Sequence, residues 1–141
     1  MQLIFSRRAT LGSWLIRAFC WSRWSHVSVL YERSHVVDAT LTHGGVRLRR
    51  LAELLDEASA VEWVEVDLPD EAAASAFMAQ QLGKRYDWTA LVGIVLRADW
   101  ADPSRWFCSE LAAAAVQAGG RRLLREDLAR VTPGLLWAVA V

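Results

Sequence analysis

Between Ser25 and Arg50 the chain alternates apolar and polar residues three times, in "SHVSVLY", "HVVDAT" and "GGVRLRRL", with only a few residues between successive runs. Alternation of period two sends successive side chains to opposite faces of a strand, and connections this short join only antiparallel neighbours. The segment therefore predicts a three-stranded antiparallel meander. In its first hairpin one face carries Val27, Val29, Tyr31, His35, Val37 and Ala39 and is expected on the core. The other carries His26, Ser28, Leu30, Ser34, Val36 and Asp38 and is expected to be a more polar surface.

Around the meander the pattern alternates between helix and strand. "QLIF" is a short strand, and "TLGSWLIRAFCW" has apolar residues at 11, 14, 15 and 18, a helical spacing that Thr10 caps. "LAELLDEA" predicts a short helix and "VEWVEVDL" a further strand ending at Pro69. "DEAAASAFMAQQLG" predicts a helix with acids in its first turn and Gly83 closing it. "WTALVGIVLR" predicts a mostly buried helix, with strand left open by its β-branched residues. "FCSELAAAAVQAGG" is an alanine-rich helix stopped by Gly119 and Gly120, and "TPGLLWAVAV" is expected to be a loop followed by a closing strand. The fold class expected is α+β, a small antiparallel sheet with flanking helices in one domain spanning residues 1–141.

Composition narrows the function classes. Apolar residues make up 54% and charged residues 23%, which predicts a folded chain. Basic and acidic residues number 16 each, so no global field draws the protein to nucleic acid or an anionic membrane. The short runs Arg47, Arg49, Arg50 and Arg121, Arg122 are expected on solvated faces. The longest apolar stretch, "WTALVGIVL", is about half of what a membrane span needs, and the N-terminus lacks a small-residue cleavage site; a cytoplasmic protein is expected. The eight tryptophans are expected mainly in the core. Cys20 and Cys108 lie far apart with no CxxC, so neither a zinc site nor a disulfide is expected, and no cofactor is called for.

Chemistry enters through the hairpin. With a three-residue loop, Tyr31 to Arg33, paired positions sum to 64 and His26 stands directly opposite Asp38, with Cβ atoms about 5 Å apart. A carboxylate that orients a histidine makes it a general base awaiting a nucleophile. A slip of one residue would put the two on opposite faces. Cys108 lies where the loop "ADWADPSRWF" becomes a helix, and the positive end of a helix favours a thiolate. Cys20, among Phe19 and Trp21, reads as an unreactive buried thiol. Glu110 falls in the first turn of the same helix as Cys108, where it favours the dipole but opposes a thiolate.

Taken together, "SHVSVLY", "VVDAT", "GGVRLRRLAELL", "LGKRYDW", "WFCSELAAAAVQAGG" and "TPGLL" resemble, in order and spacing, the circularly permuted NlpC-type papain-like proteins. The likeness is to the YiiX-like branch in particular, with lecithin retinol acyltransferase a more distant relative. The resemblance implies a permuted papain-like fold in which Cys108 is the nucleophile, His26 the base and Asp38 the orienting group. Asp38 departs from the family pattern, whose third position often holds the longer Glu or His. His43 is an alternative third member, and His35 is expected to be structural or exposed. The family's Tyr-Asp element offers Tyr86 as a residue lining the substrate site, the alternative being a core tyrosine.

The implied activity is a thiol hydrolase that cleaves amide bonds, in peptides or cell-wall peptides, through an acyl-enzyme. Two alternatives stand beside it. One is an acyltransferase or lipid hydrolase of the same fold, which a larger exposed apolar surface beside the cysteine would favour. The other is a non-catalytic binding protein, for example in a phage or surface assembly.

Overall fold

The computed structural model describes residues 1–40, 44–86, 105–124 and 131–141. Seven strands form one sheet: β1 (Gln2–Arg7), β2 (His26–Glu32), β3 (His35–Thr40), β4 (Gly45–Arg50), β5 (Ala60–Glu65), β6 (Arg85–Tyr86) and β7 (Arg105–Trp106). Their spatial order is β5-β1-β2-β3-β4-β6-β7. All neighbours are antiparallel except the two-residue pair β6 and β7. The described helices are α1 (Leu11–Phe19), α2 (Leu51–Glu57), α3 (Glu71–Gln81), α4 (Cys108–Ala118) and α5 (Pro133–Ala140). The class is α+β.

The meander β2-β3-β4 forms as the alternation predicts. Its inner face supplies Val27, Val29, Val37, Ala39 and Val46, which join Leu3 and Phe5 of β1 and Val64 of β5. Against them pack Leu111, Ala112, Ala115 and Val116 of α4, Met78 of α3 and Leu136 of α5. The small side chains of α4 let its axis approach the sheet closely, and nine of its residues, from Cys108 to Val116, are buried. The opposite face is covered too: Ile4, Val36 and Leu54 of α2 form a second core, flanked by Leu30 and Leu51. The expectation of an open polar surface there is corrected, since Ser28 and Asp38 are each only 1% exposed.

Local chemistry explains the element ends. Thr10 caps α1 by accepting the Ser13 N–H, and Asp70 caps α3 by accepting the Ala73 N–H. Gly83, at φ +84°, takes the left-handed turn after α3. Gly45 lies against the Lys84 carbonyl, a space that a Cβ would fill, and this approach admits β6 to the sheet edge.

Other expectations are revised. "TPGLLWAVA" is a helix rather than a strand: Thr132 Oγ1 accepts the Leu135 N–H and Pro133 occupies the first turn, a combination that starts helices. Of the tryptophans, Trp24 is buried, whereas Trp14, Trp63 and Trp21 are exposed, Trp21 by 96%. Arg49 is buried, not solvated, while Arg50 conforms to the expected exposure. The helix expected over "WTALVGIVLR", Trp88, Trp100 and His43 lie outside the described residues.

Candidate functional site

The pairing of β2 with β3 differs from expectation by two residues. A two-residue turn, Arg33–Ser34, separates the pair Glu32 and His35, and Tyr31 is an extra residue between Leu30 and Glu32. Beyond this bulge Leu30 faces Val36 and Val29 faces Val37. Carried onward, that register sets Ser28 opposite Asp38 and His26 opposite Thr40, two pairs further along and diagonal to the carboxylate. An even displacement preserves the face. The two side chains therefore still meet: His26 Nε2 lies 3.2 Å from Asp38 Oδ2. Ser28 Oγ sits 3.2 Å from the same nitrogen and donates to the same carboxylate oxygen at 3.4 Å.

Asp38 is held as a carboxylate from behind. Arg47 stands directly opposite it on β4, with Nε 3.9 Å from Oδ1, and the buried Arg49 guanidinium is 3.6 Å from Oδ2. Burial works against the charge, but the hydrogen bond and charge of His26, aided by Arg49 and Arg47, hold its pKa below the usual carboxylate value. Arg49 also donates to Glu57 of α2 at 2.8 Å, and Glu57 pairs with Arg8, linking the site to the second core.

Cys108 opens α4 at its first residue and is buried beside Phe107. Its side chain faces the same cleft as His26, near enough to act on the imidazole's protonation. Asp38 and Ser28 both engage Nε2, which fixes the ring's orientation in the cleft. Burial alone would lower the His26 pKa. The charge at Cys108 and the hydrogen bond and charge of Asp38 outweigh it and raise the pKa to about 9. The imidazole is thus protonated at neutral pH, the state suited to stand beside a thiolate.

His26 and Cys108 line a cleft of about 210 Å³ together with Tyr86, Thr40 and Arg8. Residues Gly12, Ser13 and Ile16 of α1 also line it. Tyr86 is both a cleft residue and a core residue: it is nearly buried, with its ring centroid 5.9 Å from that of Phe107. Glu110 accepts the Phe107 N–H at 3.2 Å, so its carboxylate secures the turn that presents Cys108. Cys20 follows α1, half-buried, with its pKa raised to about 11 by burial and by the charge at Cys108. His35 engages Ser34 and Glu32, away from the cleft.

Four residues of this arrangement were not identified in the sequence as part of the site. Ser28 was placed on the correct face, yet serine in an alternating strand carries no signal of its own. Arg47 and Arg49 were legible only as a basic run. Thr40 ends β3 with a buried hydroxyl that has no hydrogen-bond partner among the described residues, in the cleft wall. Among the described residues no group of His, Cys, Asp and Glu is assembled to hold a metal ion, and no helix is long and apolar enough to cross a membrane. No protein-family model matches the chain, and no curated protein shows significant similarity to it.

Proposed function

We propose that the protein is a cysteine hydrolase with a permuted papain-like arrangement, cleaving amide bonds in peptides or cell-wall peptides through an acyl-enzyme. The observation that carries this reading is the position of His26, hydrogen-bonded to the buried Asp38 and lining one cleft with Cys108, which opens a helix. The Cys108 thiolate attacks the substrate carbonyl carbon, forming the C–S bond. The backbone N–H of Cys108, at the positive end of α4, is the donor available to the developing oxyanion. His26, already protonated, passes its proton to the leaving amine as the C–N bond breaks. Water then attacks the thioester while His26 takes its proton, and the thiolate departs with the C–S bond. Asp38 holds the ring orientation and stabilises the imidazolium throughout. The hydroxyl of Thr40 offers the substrate a hydrogen bond from the cleft wall.

A second reading, hydrolysis or transfer of acyl groups from lipid esters, is favoured by the exposed apolar side chains Trp14, Leu15 and Phe19 on the helix that walls the cleft.

Alkylation with iodoacetamide tests the shared chemistry. Cys108 is expected to react faster than Cys20 between about pH 6 and 8, and His26→Ala is expected to slow Cys108 markedly while leaving Cys20 unchanged. Equal rates for the two cysteines in the parent protein would overturn the catalytic reading. A panel of peptide amides and acyl esters then separates the two substrate classes.

A further inference from the structure

The feature that neither the fold nor the cleft accounts for is the outer face of α1. Leu11, Trp14, Leu15 and Phe19 are all exposed, Leu11 by 73% and Trp14 by 55%. At 3.6 residues per turn these positions, with Ala18, occupy one arc of about 140°. A surface helix of a globular domain normally turns such an arc inward; here Ser13 is the buried residue of the helix. The same rotation puts Gly12 and Ile16, which line the cleft, immediately beside the edge of the arc formed by Leu15 and Phe19. The apolar stripe therefore runs along the rim of the site.

Two further observations identify what would cover it. Trp21 follows the helix with φ +47°, a left-handed conformation unfavourable for a bulky side chain, and its indole is almost wholly in solvent. The charge of the chain segment that carries the stripe is also one-sided. From Met1 through Tyr31 the chain has four arginines, Arg7, Arg8, Arg17 and Arg23, and no Asp or Glu. Arg8 is taken up by Glu57. Arg17 has a buried Nε without a hydrogen-bond partner among the described residues, and Arg23 lies over the Trp24 ring at 5.1 Å. On the helix, Arg17 falls next to Trp14 on the side away from the cleft. Exposed tryptophans, an apolar arc and flanking arginines that have no carboxylate partner among the described residues form a surface complementary to a bilayer interface with anionic headgroups, where indoles settle at headgroup depth.

We propose that α1 and Trp21 dock the protein onto an anionic lipid surface, with the stripe in the interface and the cleft opening at its edge. This goes beyond the hydrolase reading and does not depend on turnover. The local charge of residues 1–31, not the net charge of zero, governs the contact.

The test uses full-length protein carrying Cys108→Ala, so that lipid turnover plays no part, sedimented with vesicles of phosphatidylcholine alone or with added phosphatidylglycerol. Binding to the phosphatidylglycerol vesicles is expected to exceed that to phosphatidylcholine and to weaken as salt is raised. Arg17→Glu with Arg23→Glu is expected to lower the partition coefficient at least tenfold, from about fivefold for each positive charge removed near the surface. Trp14→Ser with Phe19→Ser and Trp21→Ser is expected to lower it about a hundredfold. Trp14, Phe19, Trp21 and Arg23 are exposed and Arg17 is half-buried, so an unchanged thermal unfolding midpoint verifies that the variants fold. Absence of binding to anionic vesicles, or binding that survives the triple substitution, overturns the proposal. So does a concentration-dependent dimer that the triple substitution dissolves, because the stripe then belongs to a second copy of the chain. Failure of the alkylation experiment, by contrast, would remove the hydrolase and leave the docking surface standing.

Discussion

Replacing Arg49 by methionine isolates the role of the charge behind the His26–Asp38 pair. Both side chains of the Arg49–Asp38 pair are essentially inaccessible to water, 1% and 0% exposed, and the guanidinium lies 3.6 Å from the carboxylate. At an effective dielectric constant of about 20, opposite unit charges at that distance attract by roughly 4–5 kcal/mol. Methionine fills similar space without the charge, so the main effect of Arg49→Met is to leave Asp38 buried with less compensation. His26, protonated at neutral pH, retains part of that compensation. The loss at pH 7 is therefore expected near about 3 kcal/mol, the lower end for breaking a buried pair. The lost contact to Glu57 adds little, because that carboxylate is 43% exposed and keeps Arg8. Urea denaturation of the parent, Arg49→Met, Asp38→Asn and the double variant measures the coupling. Asp38→Asn is expected to cost less in the Arg49→Met background than alone, by about 2 kcal/mol. The deficit of Arg49→Met should also widen as pH rises past about 9, where His26 loses its charge. A single-variant cost below about 0.5 kcal/mol, or strictly additive costs, would refute the electrostatic account of the site.

Three further outcomes are expected. In an NMR titration His26 should titrate near pH 9 in the parent protein and fall by about one pH unit or more in Cys108→Ala, because the charge at Cys108 is the leading contribution raising it; an unchanged value would place the thiol out of range. The folded-state pKa of His26 is raised from 6.5 to about 9, so its stabilisation is fully present below about pH 6.5 and is lost as pH rises through 9. That linkage is worth about 3 kcal/mol, and it should vanish from the pH dependence of urea midpoints in His26→Gln. Gly45→Ala should destabilise the fold by more than about 2 kcal/mol in thermal or urea unfolding, because its Cβ would meet the Lys84 carbonyl in backbone that cannot readily give way.

The way the site comes together separates two kinds of information. Parity was legible: alternation in "SHVSVLY" and "HVVDAT" determined that His26, Ser28 and Asp38 share a face, and any even register keeps them there. The register itself was not. The bulge at Tyr31 and the turn at Arg33–Ser34 shift the strands by two residues relative to the expected loop, and nothing short of the ladder distinguishes those arrangements. Likewise the start of α4 at Cys108 was legible from the alanine-rich helix and the loop before it. The start of α5 was marked as well, by Thr132 and Pro133, yet the apolar run "LLWAVAV" obscured it because buried helix and buried strand look alike over so short a length.

Burial was the harder quantity to read. A basic run such as Arg47, Arg49 and Arg50 looks like a solvated face, and only the packing of α2 against the sheet shows that its middle member is enclosed between Asp38 and Glu57. The reverse holds for α1, whose spacing showed only a helix with an apolar side, while the structure turns that side to solvent. The sequence by itself determined strands β1 to β5, most of the helices, and the candidate Cys, His and Asp. Tertiary structure decided which faces meet, because periodicity specifies that a side is apolar or charged, whereas the partner on that side arrives from elements tens of residues away.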